Sequence, residues 1–330
     1  MNSITMNHGS GGRQMHELIN GLIMNNLKNG ILERMDDSAI MENMHAGRIA
    51  MTTDSYVVNP MFFRGGDIGR LCISGTVNDL ATSGAIPYAL SLSFILEEGM
   101  DIGELERIVK SIASTATEAG VRIVTGDTKV VEKGKGDGLY INTCGIGHIP
   151  DGVDISTYNA KENDDVIITG YMGNHEVAMV KARELIDFDI DVESDVAPLN
   201  KKIEALLKKN VDIHCIKDPT RGGVASALFE IAEHSKCETT IQEDALPVHP
   251  GVRSVCEIVG YDPLYLANEG KYIIICPSGS TKDVLLEFGK DAKVIGKVGK
   301  TGEARLLYET AYGGIRRMGM LETTQLPRIC

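Results

Sequence analysis

The chain contains no tryptophan, and aromatic residues make up only 5% of its 330 residues. Its interior must therefore be built from Ile, Val, Leu, Met and Ala. Positive charge is also short: 33 Lys and Arg stand against 46 Asp and Glu, a formal net charge of −13. Without a surplus of cations to neutralise phosphates or anionic lipid, neither nucleic acid nor a membrane surface is an expected partner. No apolar run approaches a bilayer span, and the start Met1-Asn2-Ser3-Ile4 lacks the basic and apolar stretches of an export signal, so a cytoplasmic location is expected. The seven cysteines, Cys72, Cys144, Cys215, Cys237, Cys256, Cys276 and Cys330, include no CxxC pair. That spacing argues against a disulfide framework and against a thiolate zinc site. Two nucleotide signatures are missing as well, the P-loop GxxxxGK[ST] and the dinucleotide GxGxxG.

What is present is ordinary globular material, 43% hydrophobic and 24% charged with 36 glycines. The length favours two domains, and the pattern of elements indicates an α+β fold. A glycine-rich loop, Asn7-His8-Gly9-Ser10-Gly11-Gly12-Arg13, precedes an amphipathic helix carrying Met15, Leu18, Ile19, Leu22 and Ile23. An extended segment from Arg48 leads to Asp54, and Gly65-Gly66-Asp67 opens a helix with Ile68, Leu71, Cys72, Val77, Leu80 and Ala81 as its buried stripe. Residues 87–96 read as a strand, Asp101 and Glu104 form a capping box for a helix with Leu105, Ile108, Val109 and Ile112, and residues 121–124 run into Thr125-Gly126-Asp127-Thr128-Lys129. A strand over 139–149 closes the first unit, and Pro150 with Asp151-Gly152 marks a seam. The second half repeats strand, acidic glycine loop and helix: a strand at 166–169, helices from about 174 and after Pro198, the loop Asp218-Pro219-Thr220-Arg221-Gly222-Gly223, and a strand at 272–276. Beyond Val298 the periodicity fades, and the segment from Tyr312 to Cys330 reads as a tail able to reach elsewhere.

Five acidic loci stand beside glycine, at strand ends or at helix starts: Asp36-Asp37, Asp54, Asp79, Asp127 and Asp218. Alone, each is better read as satisfying backbone N–H groups at a turn or helix start than as binding a ligand. Together, and with Asn78 and Lys129, they suit hard Mg²⁺ carrying a triphosphate, with the Gly9–Gly12 loop over the phosphates. His8 serves equally well as a loop cap, and Cys72, Cys215 and Cys276 lie on apolar runs that read as core.

Eight strings carry a family resemblance: His8-Gly9-Ser10-Gly11-Gly12, Thr52-Thr53-Asp54-Ser55, Gly65-Gly66-Asp67-Ile68-Gly69, Gly75-Thr76-Val77-Asn78-Asp79-Leu80, Gly126-Asp127-Thr128-Lys129-Val130-Val131, Asp218-Pro219-Thr220-Arg221-Gly222-Gly223, Asn268-Glu269-Gly270 and Pro327-Arg328-Ile329-Cys330. Spread over essentially the whole chain, they resemble the hydrogenase-maturation carbamoyl dehydratases, the HypE family. Several are shared with the wider aminoimidazole ribonucleotide synthetase and selenophosphate synthetase (PurM-like) superfamily, whereas the terminal string points to HypE. The resemblance implies a two-domain PurM-like α+β fold, with residues 1–155 as an ATP-binding and dimerisation domain, 156–309 as a second domain and 310–330 as a tail bearing the modified cysteine.

It further implies ATP with Mg²⁺ as cofactors. Asp37, Asp54, Asp79 and Asp127 are the implied metal ligands, with Asp36 in reserve, and Gly11, Gly12, Asn78, Gly126, Asp218 and Arg221 complete the nucleotide site. Lys129 is implied to offset charge on the transferred phosphoryl group. Cys330 is implied to carry a carbamoyl group placed by the carbamoyltransferase HypF, and its dehydration to a thiocyanate yields the cyanide passed through the HypC–HypD complex to [NiFe] hydrogenase iron. Elimination needs a base, for which Glu269 leads and His175 is the rival. The family commonly has Asp where this chain has Asn174, which removes one carboxylate beside His175. A PurM-like enzyme acting on a small-molecule amide, and a maturation scaffold, are the alternatives from the same features.

Overall fold

The computed structural model describes residues 3–9, 13–34, 47–185 and 191–320. The first unit contains α1 (Arg13–Leu18), which continues through a π-turn into α2 (Asn25–Leu27), then β1 (Arg48–Tyr56), the short hairpin β2 (Phe62–Phe63) and β3 (Gly66–Asp67), α3 (Ile68–Thr82), β4 (Ile86–Glu97), α4 (Ile102–Ala119), β5 (Arg122–Val131) and β6 (Leu139–Ile149). The second contains β7 (Asp165–Ile168), α5 (Asn174–Ala182), α6 (Asn200–Lys208), β8 (Cys215–Lys217), α7 (Gly223–Ser235), β9 (Cys237–Gln242), α8 (Pro250–Val259), β10 (Ile273–Cys276), α9 (Thr281–Phe288), β11 (Lys293–Thr301), β12 (Arg305–Glu309) and β13 (Ile315–Met318).

The first sheet runs in the order β1-β6-β4-β5, antiparallel except for the parallel β4/β5 pair. Helix α4 follows its sequence signals closely. The Asp101 carboxylate accepts from the Glu104 N–H at 3.0 Å, Gly120 ends the helix in the left-handed region, and Leu105, Ile108, Val109, Ile112 and Ala116 fill the core beneath the sheet. The second sheet has seven strands in the order β13-β12-β9-β11-β7-β10-β8. It corrects the sequence reading at two places. Strand β11 runs past Val298 to Thr301, and β13 lies inside the segment read as tail, because Leu306, Tyr308 and Met318 bury against α7 and the sheet. The described chain after β13 is fastened where the Tyr265 hydroxyl donates to the Gly319 carbonyl at 3.0 Å.

Helix α3 departs from a one-sided stripe, since Ser74, Thr76 and Asn78 are buried together with its apolar residues. Its first face meets β1, β6 and α4, and the other meets the second unit. A strap of irregular chain, residues 194–199, crosses that boundary and leads into α6. Ser194 N–H donates to the Arg64 carbonyl at 2.9 Å, and Arg70 Nε to the Val196 carbonyl at 2.9 Å. Asn78 Nδ2 donates to the Ala197 carbonyl at 3.0 Å, while Asn78 Oδ1 accepts from the Leu199 N–H at 2.7 Å. The Tyr272 hydroxyl donates to the Asn78 carbonyl at 3.0 Å, and Asn200 Nδ2 to the Ala119 carbonyl at 2.9 Å. Asn78, expected to help position a nucleotide, thus spends its amide on the contact between the two units. Replacing it by alanine leaves the Leu199 N–H and the Ala197 carbonyl without partners in a buried seam, and Asn78→Ala is expected to cost about 2–4 kcal/mol, read as a lowered urea midpoint.

Candidate functional site

Strand β1 alternates, with Ala50, Thr52, Asp54 and Tyr56 facing α3 and Ile49, Met51, Thr53 and Ser55 facing outward. Thr52 Oγ1 donates to Asp79 Oδ2 at 2.9 Å, and the Tyr56 hydroxyl donates to Asp54 Oδ2 at 2.9 Å. Tyr56 reaches this position only because residue 75 is glycine: a Cβ there would lie 2.3 Å from the tyrosine oxygen. The inner face of β1 and the flank of α3 therefore hold Asp54 and Asp79 side by side.

The second unit brings two more carboxyls to the same seam. The buried Asn268 pins three loops: its Oδ1 accepts from the Gly173 N–H at 2.8 Å, and its Nδ2 donates to the Pro219 carbonyl at 3.0 Å and the Leu266 carbonyl at 2.9 Å. Its own N–H also donates to the Pro219 carbonyl, at 3.2 Å. The loop after β8 is thereby locked to the turn at 268–270, and Asp218 and Glu269 come into each other's field.

The charges of these groups oppose one another. Burial, then the charges of Asp218 and Asp54, push the Asp79 carboxyl up to about 7 despite the hydrogen bond from Thr52. Asp218 is raised by burial and by Asp54 and Glu230, with Lys217 pulling the other way; Lys217 is itself paired with Glu230 at 2.8 Å. Glu269 is raised well above its ordinary value by burial and then by Asp195, Asp218, Asp54 and Asp79. Tyr56 is raised by burial and by Asp54, so its hydroxyl stays a donor. Three carboxyls that hold protons this tightly, gathered around Asp54, form a site short of positive charge.

Among the described residues, no three Asp, Glu, His or Cys side chains already converge as a metal-ligand set. The donor chemistry nonetheless suits Mg²⁺, which takes one or two carboxylates and completes its shell with phosphate oxygens and water. Asp54 and Asp79 supply such a pair of hard oxygen donors.

The other expected residues divide into three groups. Asp37 and Asp36, Gly11 and Gly12, and Cys330 lie outside the described residues. Gly126, Asp127 and Lys129 do not sit at a strand end as read, but inside the continuous strand β5, at the opposite edge of the sheet from β1. Three strand spacings separate those edges, roughly 14 Å. Asp54 lies in one row with Thr143, Leu92 and Gly126, while Asp127 lies in the next row with Ser55, Asn142 and Ser93, on the outer face. Asp127, Lys129 and Arg221 are exposed. His175 is fully buried at the start of α5, edge-on to Phe63, with Nδ1 2.8 Å from Ser194 Oγ. Burial lowers its pKa to about 4, with Asp195 acting in the opposite sense, so its imidazole is a weak proton acceptor. Asn174, beside it, has a buried Oδ1 with no hydrogen-bond partner among the described residues. His8 acts as a loop cap, its Nδ1 accepting from the Thr5 N–H at 3.0 Å.

Several residues escaped the sequence reading. Tyr56 was accessible in principle, standing two residues beyond Asp54 on the same strand face. Asp195 lies in irregular chain with no glycine beside it and no capping signature, and Lys271, though it follows Gly270, bears no feature that points to Asp195.

The family profile for "AIR synthase related protein, N-terminal domain" matches residues 35–149, and that for the corresponding C-terminal domain matches residues 161–309. The carbamoyl dehydratase HypE of Azotobacter vinelandii is 44% identical over 333 aligned residues, spanning 99% of this chain and 97% of that protein. The chain belongs to the HypE family. A crystal structure of the hydrogenase maturation protein HypE in complex with ATP superposes with a TM-score of 0.94 at 46% identity, covering 98% of this chain and 99% of that one. A HypE chain from a HypE–HypF complex superposes at 0.80 with 43% identity, covering 92% and 99%. The two-domain PurM-like α+β architecture expected from the sequence is thus that of the HypE proteins. No helix among the described residues is long and apolar enough to cross a membrane.

The raised carboxyls make the ligand-free protein sensitive to pH. Asp79 takes up its proton near 7 when folded against an ordinary value of 3.8, so its contribution to stability is fully present below the lower value and is lost as pH rises through the upper one. The thermal midpoint is expected to fall between about pH 4 and pH 7, and Asp79→Asn, which keeps an acceptor for Thr52, is expected to flatten that slope and raise the midpoint at the alkaline end.

Proposed function

We propose that this chain is an ATP-dependent carbamoyl dehydratase that converts a thiocarbamate on its own Cys330 to a thiocyanate, the source of cyanide for [NiFe] hydrogenase maturation. The observation that carries the reading is the meeting of Asp54 and Asp79 from one unit with Asp218 and Glu269 from the other, in a chain of this family. Asp54 and Asp79, with Asp37 as a further ligand and Asp127 contributed by a second copy of the chain, would hold Mg²⁺ with ATP, and the cation would offset the negative charge of the triphosphate. Asp218 and Arg221 bound the site from the second unit, and Gly11 and Gly12 cover the phosphates.

The dehydration is difficult because an amide oxygen leaves poorly. Transfer of the terminal phosphoryl group of ATP to the carbonyl oxygen of Cys330-S–C(=O)–NH₂ gives ADP and an oxygen that departs as phosphate. Loss of the two N–H protons, with cleavage of the C–O bond, then leaves Cys330-S–C≡N, ADP and phosphate. Glu269 takes a proton from nitrogen. Its raised pKa makes its carboxylate a stronger base than an ordinary one, and neutralisation of Asp54 and Asp79 by cation removes part of what raises it. His175 is the weaker alternative because burial keeps its pKa near 4.

Lys129 and Asp127 enter through a second copy. The outer face of the four-stranded sheet exposes Ile49 at 56%, Met51 at 72% and Ile95 at 42%, an apolar surface of the kind that pairs. A homodimer formed face to face on these sheets brings Lys129 of the partner subunit to the transferred phosphoryl group. HypF is the partner that loads the carbamoyl group, a reading supported by the HypE–HypF complex of a relative, and the HypC–HypD complex accepts the cyanide. The six free cysteines among the described residues fit a reducing, cytoplasmic location.

Incubation with a carbamoyl-donor system is expected to add one carbamoyl group at Cys330, and Mg²⁺ with ATP is then expected to remove one water equivalent, both read by intact mass. Cys330→Ala should show neither change. Turnover of a small free amide at an equal rate by Cys330→Ala would overturn the self-modification. A Met51→Asp change on the outer sheet face is expected to halve the mass seen by light scattering while far-ultraviolet circular dichroism stays unchanged.

A further inference from the structure

Asp195 sits in the interdomain strap with its side chain only 3% exposed, and it takes no part in the proposed chemistry. Its carboxylate is a fork under the turn that carries Glu269. Oδ1 accepts from the Glu269 N–H at 3.3 Å, and Oδ2 accepts from the Gly270 N–H at 3.2 Å and from Lys271 Nζ at 3.1 Å. Lys271 Nζ also donates to the Gly270 carbonyl at 3.2 Å, closing the turn on itself. Backbone meets backbone here: a Cβ on residue 270 would lie 1.8 Å from the Asp195 carbonyl oxygen, so only glycine allows the turn to seat. Burial opposes the charge on Asp195, but Lys271, His175 and the N–H donors outweigh it and hold the carboxyl below its ordinary value.

The flanking residues fix this fork in space. Ser194 N–H is held by the Arg64 carbonyl, Ser194 Oγ lies 2.8 Å from His175 Nδ1 and accepts from the Val196 N–H at 3.2 Å, and the Val196 carbonyl is held by Arg70 Nε. The strap belongs to the contact with the first unit, which supplies Asp54 and Asp79. Glu269 belongs to the second. We infer that Asp195 is a positioning residue for dehydration: by gripping the backbone of residues 269 and 270 from a strap anchored on the first unit, it sets Glu269 in register with the nucleotide carboxylates. The inference deepens the reading of Glu269 as base and rests on it.

A displacement of the base by about 1 Å is enough to cost on the order of 10²-fold in rate without loss of ligand. Asp195→Asn replaces one acceptor oxygen of the fork by a donor that faces other donors. In single turnover of the carbamoylated full-length protein, followed by intact mass, Asp195→Asn is expected to slow thiocyanate formation by about 10²-fold, while the Kd for ATP with Mg²⁺ changes by less than about twofold. In a Glu269→Gln background the same change is expected to add less than about twofold, because a base that is gone has nothing left to position. An unchanged rate in Asp195→Asn, a rate loss matched by loss of ATP affinity, or losses that multiply in the double variant would each overturn the inference. Should Asp195→Asn not fold, Asp195→Ser, which keeps one acceptor without the charge, is read by the same criteria. Wild-type turnover in Glu269→Gln marks failure of the base assignment, whereas wild-type turnover in Asp195→Asn beside an inactive Glu269→Gln marks failure of positioning alone.

Discussion

The amide of Asn78 clasps the backbone of Ala197 and Leu199, and most of what is specific to this molecule depends on that clasp. A buried side-chain amide bonded to main-chain groups on both sides is costly to break, because each freed backbone group would stay away from water. It fixes the distance between two units whose functional groups are useless apart: Asp54 and Asp79 on one, Asp218 and Glu269 on the other. Asp79 follows Asn78 directly on α3, so the residue that ties the units together and a residue that serves the site sit on adjacent positions of one helix.

Like charge is concentrated across this seam at a real energetic penalty. Burial raises Asp79, Asp218 and Glu269, neighbouring carboxylates raise them further, and the nearby Lys217 is engaged with Glu230. Such an arrangement is poor for the stability of the protein alone and good for taking up a cation with a polyphosphate. Asn268 and Asp195 hold the second-unit groups against that repulsion by bonding to backbone, which neither side-chain motion nor protonation of the site carboxyls readily undoes.

Local chemistry made part of this legible in the sequence. The cap at Asp101, the stop at Gly120 and the stripe of α4 are written in short-range residue types, as are the acids at 54, 79 and 218 within their short motifs. Asp127 shows the limit. Gly126-Asp127 has the look of a turn, yet pairing of β5 with β4 carries the strand straight through it, a case where sheet context overrides local preference. Helix α3 is buried on more than its apolar stripe for a related reason, since nothing in its own residues announces that a second unit packs on the far face. The role of Asn78 and the existence of the Asp195 fork depend on contacts between positions more than 70 residues apart, beyond any local pattern.

Strand β13 and the bond from Tyr265 to Gly319 moor the C-terminal segment to the second unit. Cys330 stands eleven positions beyond Gly319, and a chain of that length spans at most about 40 Å. A thiol confined to that radius is present at an effective concentration on the order of millimolar whatever path the chain takes. For the proposed reaction the substrate therefore cannot be diluted, and saturation is set by covalent length instead of by grip. The cleft is relieved of the need to recognise a small neutral group tightly, and its interactions are left for the phosphoryl transfer and the proton.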